Sequence, residues 1–135
     1  MTNSNINLND IKAMNPGALA YMGDAVFEIF VREHIITTNY GGNLHKKAKA
    51  YVSAKGQSQI YHRLMEIATD EEITILKRGR NHVTKAPKSA TVSEYRHATG
   101  IEALFGYLFL KGDTQRLSYL FTTLYTNGAN TNEQN

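Results

Sequence analysis

Apolar positions along the chain recur at spacings of three and four and nowhere keep up a two-residue alternation, so the pattern predicts helices and no sheet. The most apolar segment opens at Asn15-Pro16, with Asn as the capping residue and Pro at the first helical position, and is expected to run to about Ile36. Leu19, Met22, Val26, Ile29 and Phe30 mark its core-facing stripe. Ala18, Ala20, Ala25, Phe27 and Val31 make much of the remaining surface apolar too, which predicts a central helix. After a turn at NYGGN (39–43), Asn43 can cap a helix from Leu44 to about Tyr51, and Ser53 a further one with Ile60, Leu64 and Ile67 on one face. Thr69 or Asp70 opens a shorter helix, whose first-turn Glu71 and Glu72 suit the helix dipole and which is expected to end near Gly79. Arg80 to Thr91 is basic, polar and interrupted by Pro87, and reads as a loop. A second very apolar helix is expected from Ser93 to Lys111. Gly112 stops it, and Asp113 caps a last amphipathic helix through Leu117, Leu120, Phe121 and Leu124. Residues 1–9 are expected to be flexible and 127–135 disordered, leaving one all-α domain of about six or seven helices over 10–126.

Charge changes this picture. Lys and Arg number 15 against 12 acids, a mild excess, but nine of the 15 lie in two acid-free windows, HKKAKAYVSAK (45–55) and KRGRNHVTKAPK (77–88). Clustering of this kind points to a surface that meets phosphates, with two solvated faces as the plainer alternative. The absence of cysteine excludes disulfides and thiolate metal sites and fits a reducing cytoplasm. No stretch has the length of a membrane span, so a soluble cytoplasmic protein is expected.

Two acids stand apart. Asp24 follows Gly23 inside the first apolar helix and Glu102 lies inside the second, each the lone acid of a mostly apolar run. An ionised carboxylate taken out of water costs several kcal/mol unless something pairs with it. Gly23, Gly100 and Gly106, each unfavourable in a helix interior, are tolerated where two backbones approach closely. The two helices are therefore expected to pack around these glycines and bring Asp24 and Glu102 to one site, where a hard divalent cation could neutralise both. Pairing of the acids with Arg32 or Arg96 is the competing reading, and Glu28 with Arg32 has the spacing of an ordinary helical salt bridge. The five histidines lack HxxxH or HExxH spacing, which argues against zinc; His45, His82 and His97 sit beside basic residues and suit solvent or phosphate better than general-base work.

The stretches NPGALAYMGDAVFE (15–28) and GIEALFGYLFL (100–110) resemble the two signature elements of the ribonuclease III catalytic domain. Together with LHKKAKAYVSAKGQ (44–57) and LKRGRN (76–81), the chain from about 10 to 125 resembles the Mini-ribonuclease III branch, which consists of the catalytic domain alone. The resemblance implies the ribonuclease III endonuclease fold and a Mg²⁺-dependent endoribonuclease that leaves 5′-phosphate and 3′-hydroxyl ends. Asp24 and Glu102 would be the catalytic and metal-binding residues. Ala20 and Thr99 stand where the wider family carries two further acids. The resemblance further implies a homodimer cutting both strands of paired RNA, with the ends of the 23S ribosomal RNA precursor as substrate, a ribosomal protein as accessory and no separate double-stranded RNA-binding domain. Arg78, Arg80, Asn81, Lys85 and Lys88 are then expected to grip RNA from a mobile loop, with Lys46, Lys47 and Lys49 as further contacts. Ala20 and Thr99 motivate a rival reading, an RNA-binding scaffold of weak activity. A basic DNA-binding helical protein fits the charge but leaves Asp24 and Glu102 unexplained.

Overall fold

The computed structural model describes residues 6–38, 41–83, 85, 86, 88 and 91–127. Among the described residues seven α-helices follow in order: α1 (Leu8–Ala13), α2 (Pro16–Thr38), α3 (Leu44–Val52), α4 (Ala54–Ile67), α5 (Asp70–His82), α6 (Val92–Lys111) and α7 (Thr114–Phe121). A π-helical turn, Thr122–Asn127, continues α7. The described residues contain no strand. The expected tail beyond 127, Pro87 and the first two residues of the NYGGN turn lie outside the described residues.

The caps fall where short polar side chains can take up orphan amides. Asn15 accepts from Gly17 N at 2.7 Å, Asn43 from Lys46 N, Ser53 from Gly56 N and Asp113 from Arg116 N. Thr69 and Thr91 each form a reciprocal capping box, with Glu72 and Glu94 respectively. Gly112 closes α6 at φ +86°, a left-handed conformation that glycine takes without a Cβ penalty.

Two expectations are corrected here. The central helix is α6, packed against α2, α4 and α5 and buried almost continuously from Thr99 to Leu108, whereas α2 keeps one side open. On α2 the inward face is Leu19, Ala20, Gly23, Val26, Phe27, Val31 and Ile35; Ile29, expected inside, is 55% exposed. A helix apolar on nearly every side carries no sequence signal for which side its neighbours cover. Helix α1 was not anticipated in the polar N-terminal segment; its Ile11 joins the core, and Arg78 donates to the carbonyls of Lys12 (2.5 Å) and Met14 (2.8 Å).

Two ionic ties fasten the rim. Glu71 bridges Lys12 and Lys111 at 2.8 and 2.9 Å, and these partners hold its carboxyl down at about 2. Glu72, buried, takes Arg116 at 2.8 Å while also closing its own helix's capping box. Burial alone would raise the Glu72 pKa, but the Arg116 guanidinium and the cap amide bring it below the ordinary value.

Candidate functional site

Helices α2 and α6 touch backbone to backbone. A Cβ on Gly23 would stand 1.6 Å from the Glu102 carbonyl oxygen, and one on Gly106 would stand 1.9 Å from that of Leu19. No side chain fits in either place. Asp24 follows the first contact glycine and Glu102 lies one turn before the second, so the close approach itself carries the two carboxyls together. Gly100 belongs to a different contact from the one expected for it: its hydrogen side faces Leu76 and Tyr61, and with Gly79 it brings α5 against α6.

The two acids are unequal. Asp24, expected to be buried, is exposed, and Glu102 is the half-buried member. Burial, then the Asp24 charge and a hydrogen bond with Asp24, push the Glu102 carboxyl up to about 8. The competing arginine pairings are not the arrangement found: Arg32 is paired with Glu28 one turn away, and Arg96 donates to the Val83 carbonyl at 2.8 Å. Ala20 is buried and has no polar side chain, and the Thr99 hydroxyl is turned back onto the Tyr95 carbonyl at 3.0 Å, so neither supplies a further ligand. Among the described residues no group of three or more acids, histidines or cysteines stands ready for a metal. A lone pair of carboxylates pressed together still fits one kind of guest, a hard cation that keeps most of its water.

Sequence reasoning missed a buried polar pair that feels the Glu102 charge. Tyr125, from the π-helical turn, donates its buried hydroxyl to the side-chain oxygen of buried Gln57 on α4. Burial and the Glu102 charge raise the Tyr125 hydroxyl, against the lowering effect of Gln57, which puts Glu102 within electrostatic reach of Tyr125. Tyr125 reads in sequence as one more core aromatic, and it does stack on Phe121 with ring centroids 5.2 Å apart.

The basic residues divide. Arg78, Arg80 and Asn81 were expected on a loop, but α5 continues to His82 and carries all three. Arg78 is committed to holding α1 through Lys12 and Met14. Arg80 Nε donates to Asn81 Oδ1 at 3.2 Å. Lys85 and Lys88 follow α5 and are exposed. On α3, Lys46 and Lys49 are exposed, while Lys47 donates to the Gly41 carbonyl. The two basic windows have different main neighbours, since α3 packs on α2 and α4 and α5 packs chiefly on α6 and α2. Beside Arg80 lies a further group that sequence did not connect: Ser58, Tyr61 and His62 of α4 against His97 of α6. The four-residue spacing of Ser58 and His62 was the available signal for it.

Residues 17–113 match the Ribonuclease III domain. The chain is 46% identical over 124 residues to Mini-ribonuclease 3 of Staphylococcus aureus, covering 87% of this chain and 92% of that one. It is 39% identical over 132 residues to Mini-ribonuclease 3 of Enterococcus faecalis, covering 94% and 100%. A crystal structure of a Fusobacterium nucleatum protein superposes with a TM-score of 0.78 at 32% identity, covering 88% of this chain and 98% of that one. The all-helical fold, the matched domain and relatives this similar over nearly their whole length agree, and the chain belongs to the ribonuclease III family of endoribonucleases, in its Mini-ribonuclease 3 branch.

Proposed function

We propose that this chain is a Mg²⁺-dependent endoribonuclease that cuts double-stranded regions of structured RNA in the cytoplasm, and that its substrate is the paired stem at the ends of the 23S ribosomal RNA precursor. The observation that carries the reading is the meeting of Asp24 and Glu102 at the Gly23–Gly106 contact. Two carboxyls forced together strongly enough to hold one proton at neutral pH are what a divalent cation relieves. When bound, the cation supplies neutralising charge at the scissile phosphate and acidifies water for in-line attack. The rest is done by the chain. Exposed Asp24 faces the incoming backbone, and half-buried Glu102 supplies the second carboxylate. The products carry 5′-phosphate and 3′-hydroxyl ends.

Duplex cutting calls for two sites, and α2 offers a seam for a homodimer. Its open side presents Tyr21, 84% exposed, with Ala25, Ile29 and Ile36 along the same face around the exposed Glu28–Arg32 pair. RNA is gripped by the exposed residues Asn81, Lys85 and Lys88 and by Arg80, with Lys46 and Lys49 as outer contacts and Lys47 tied to its own turn. A ribosomal protein that shapes the precursor is the expected accessory.

The test is cleavage of a labelled precursor stem by wild type, Asp24→Asn and Glu102→Gln, in Mg²⁺ and in EDTA. Staggered cuts by wild type in Mg²⁺ alone, with both variants still binding RNA but leaving it intact, support the reading. Equal RNA binding with no cutting by any of the three, even with ribosomal proteins added, makes the chain a scaffold.

A further inference from the structure

Three helices bring together side chains that the cleavage reaction does not use. His97 of α6 lies stacked on Tyr61 of α4, with ring centroids 4.4 Å apart and planes at 24°. Its Nδ1 is 2.6 Å from Ser58 Oγ, and the His62 ring meets it edge-on at 5.0 Å. Arg80, in the last turn of α5, acts electrostatically on both Tyr61 and His97. Tyr61 Oη is buried and, among the described residues, has no hydrogen-bond partner in normal geometry. A purely structural cluster would pair its cationic groups with carboxylates. Here the charged groups acting on His97 are His62 and Arg80, and both repel a proton on it. Burial, His62 and Arg80 in that order hold the His97 pKa below its ordinary value. Two imidazoles and a guanidinium gathered in this way make a site short of an anion.

We infer that Arg80, His62 and His97, oriented by Ser58 and Tyr61, form a subsite for a backbone phosphate of the RNA duplex, distinct from the Asp24–Glu102 pair. The inference rests on the endoribonuclease reading for the identity of the phosphate. The 2.6 Å contact between Ser58 Oγ and His97 Nδ1 orients the ring, and once protonated the imidazole donates from Nδ1 to the Ser58 oxygen and from Nε2 to a phosphate oxygen. His62 is exposed and Arg80 and His97 are part-exposed, so the group can be reached from solvent. Asn81, bonded to Arg80, and the exposed Lys85 and Lys88 extend the same polarity along the chain. Because coupling is reciprocal, a phosphate that favours protonated imidazoles must itself bind more tightly as pH falls.

The deciding experiment follows the His62 and His97 imidazole resonances of the folded Asp24→Asn protein through a pH series by NMR. It is run alone, with a short RNA duplex and with inorganic phosphate, alongside duplex affinity at pH 6 and pH 8. The duplex should raise the His97 midpoint by about one pH unit, and because that midpoint starts below the ordinary value the gain corresponds to roughly three- to sixfold tighter binding at pH 6 than at pH 8. In the His62→Gln/His97→Gln double variant that gain should vanish, and the salt slope of binding at pH 6 should fall by about one. A duplex that binds while both imidazoles titrate unchanged overturns the subsite and leaves the endoribonuclease reading standing. A change produced equally by inorganic phosphate at the same concentration overturns it in favour of a small-anion pocket. A protein that binds no duplex at any pH overturns both.

Discussion

Glu102 is the residue whose state depends most on its surroundings. Its carboxyl sits at about 8 against an ordinary 4.5, because it is half-buried and beside Asp24. A folded-state pKa above the unfolded one means that the folded protein holds the extra proton between those values, so metal-free stability falls as pH rises from about 4.5 through about 8. The loss should amount to a few kcal/mol, since each pH unit crossed in that interval costs up to about 1.4 kcal/mol. Thermal unfolding in EDTA should therefore give a higher Tm at pH 5 than at pH 8, with Mg²⁺ restoring the difference mainly at pH 8. Glu102→Gln should flatten both effects; a Tm that rises with pH in EDTA sinks the account. Asp24 and Glu102 could be picked out in sequence as lone acids in apolar runs, but which of them is shielded from water could not, because that depends on the neighbouring helix.

Among the elements, the α2–α6 crossing matters most. Gly23→Ala would drive a methyl into the Glu102 carbonyl 1.6 Å away, so the helices must separate and the carboxylates with them. A loss of more than about 3 kcal/mol is expected, in the range reserved for broken core packing. Gly112→Ala supplies the contrast, since nothing crowds its Cβ and the cost is the left-handed backbone alone, about 1 kcal/mol. Urea midpoints of the two variants compare them directly, and a Gly23→Ala protein as stable as Gly112→Ala would remove the glycine contact as the organiser of the site. Most helix starts were legible because caps are local: Asn15, Asn43, Ser53 and Asp113 act within two or three residues of themselves. The end of α5 was not. The turn carrying Arg80 and Asn81 is held by packing on α6 at Gly79 and Gly100, a contact between segments far apart in the chain.

At the scale of the whole molecule, the open side of α2 is the feature a lone chain does not explain. Ile29→Asp lies at an exposed position and should change the stability of a single chain by no more than about 0.5 kcal/mol. Sedimentation should nonetheless show wild type at twice the monomer mass and the variant at once, with helical content unchanged. Staggered double-strand cutting should give way to single-strand nicks or cease. A monomeric wild type that still makes paired cuts would remove α2 as the seam.

The sequence by itself determined the helical class, most helix starts, the two glycine-linked carboxylates and the family signature around them, because each is written in residues a few positions apart. The tertiary structure decided which helix is central, that Asp24 is exposed and Glu102 half-buried, that Arg78 serves the fold, and that Ser58, His62, Arg80 and His97 meet. Those outcomes depend on contacts between segments tens of residues apart, where burial and charge are properties of the assembled neighbours rather than of any one stretch of chain.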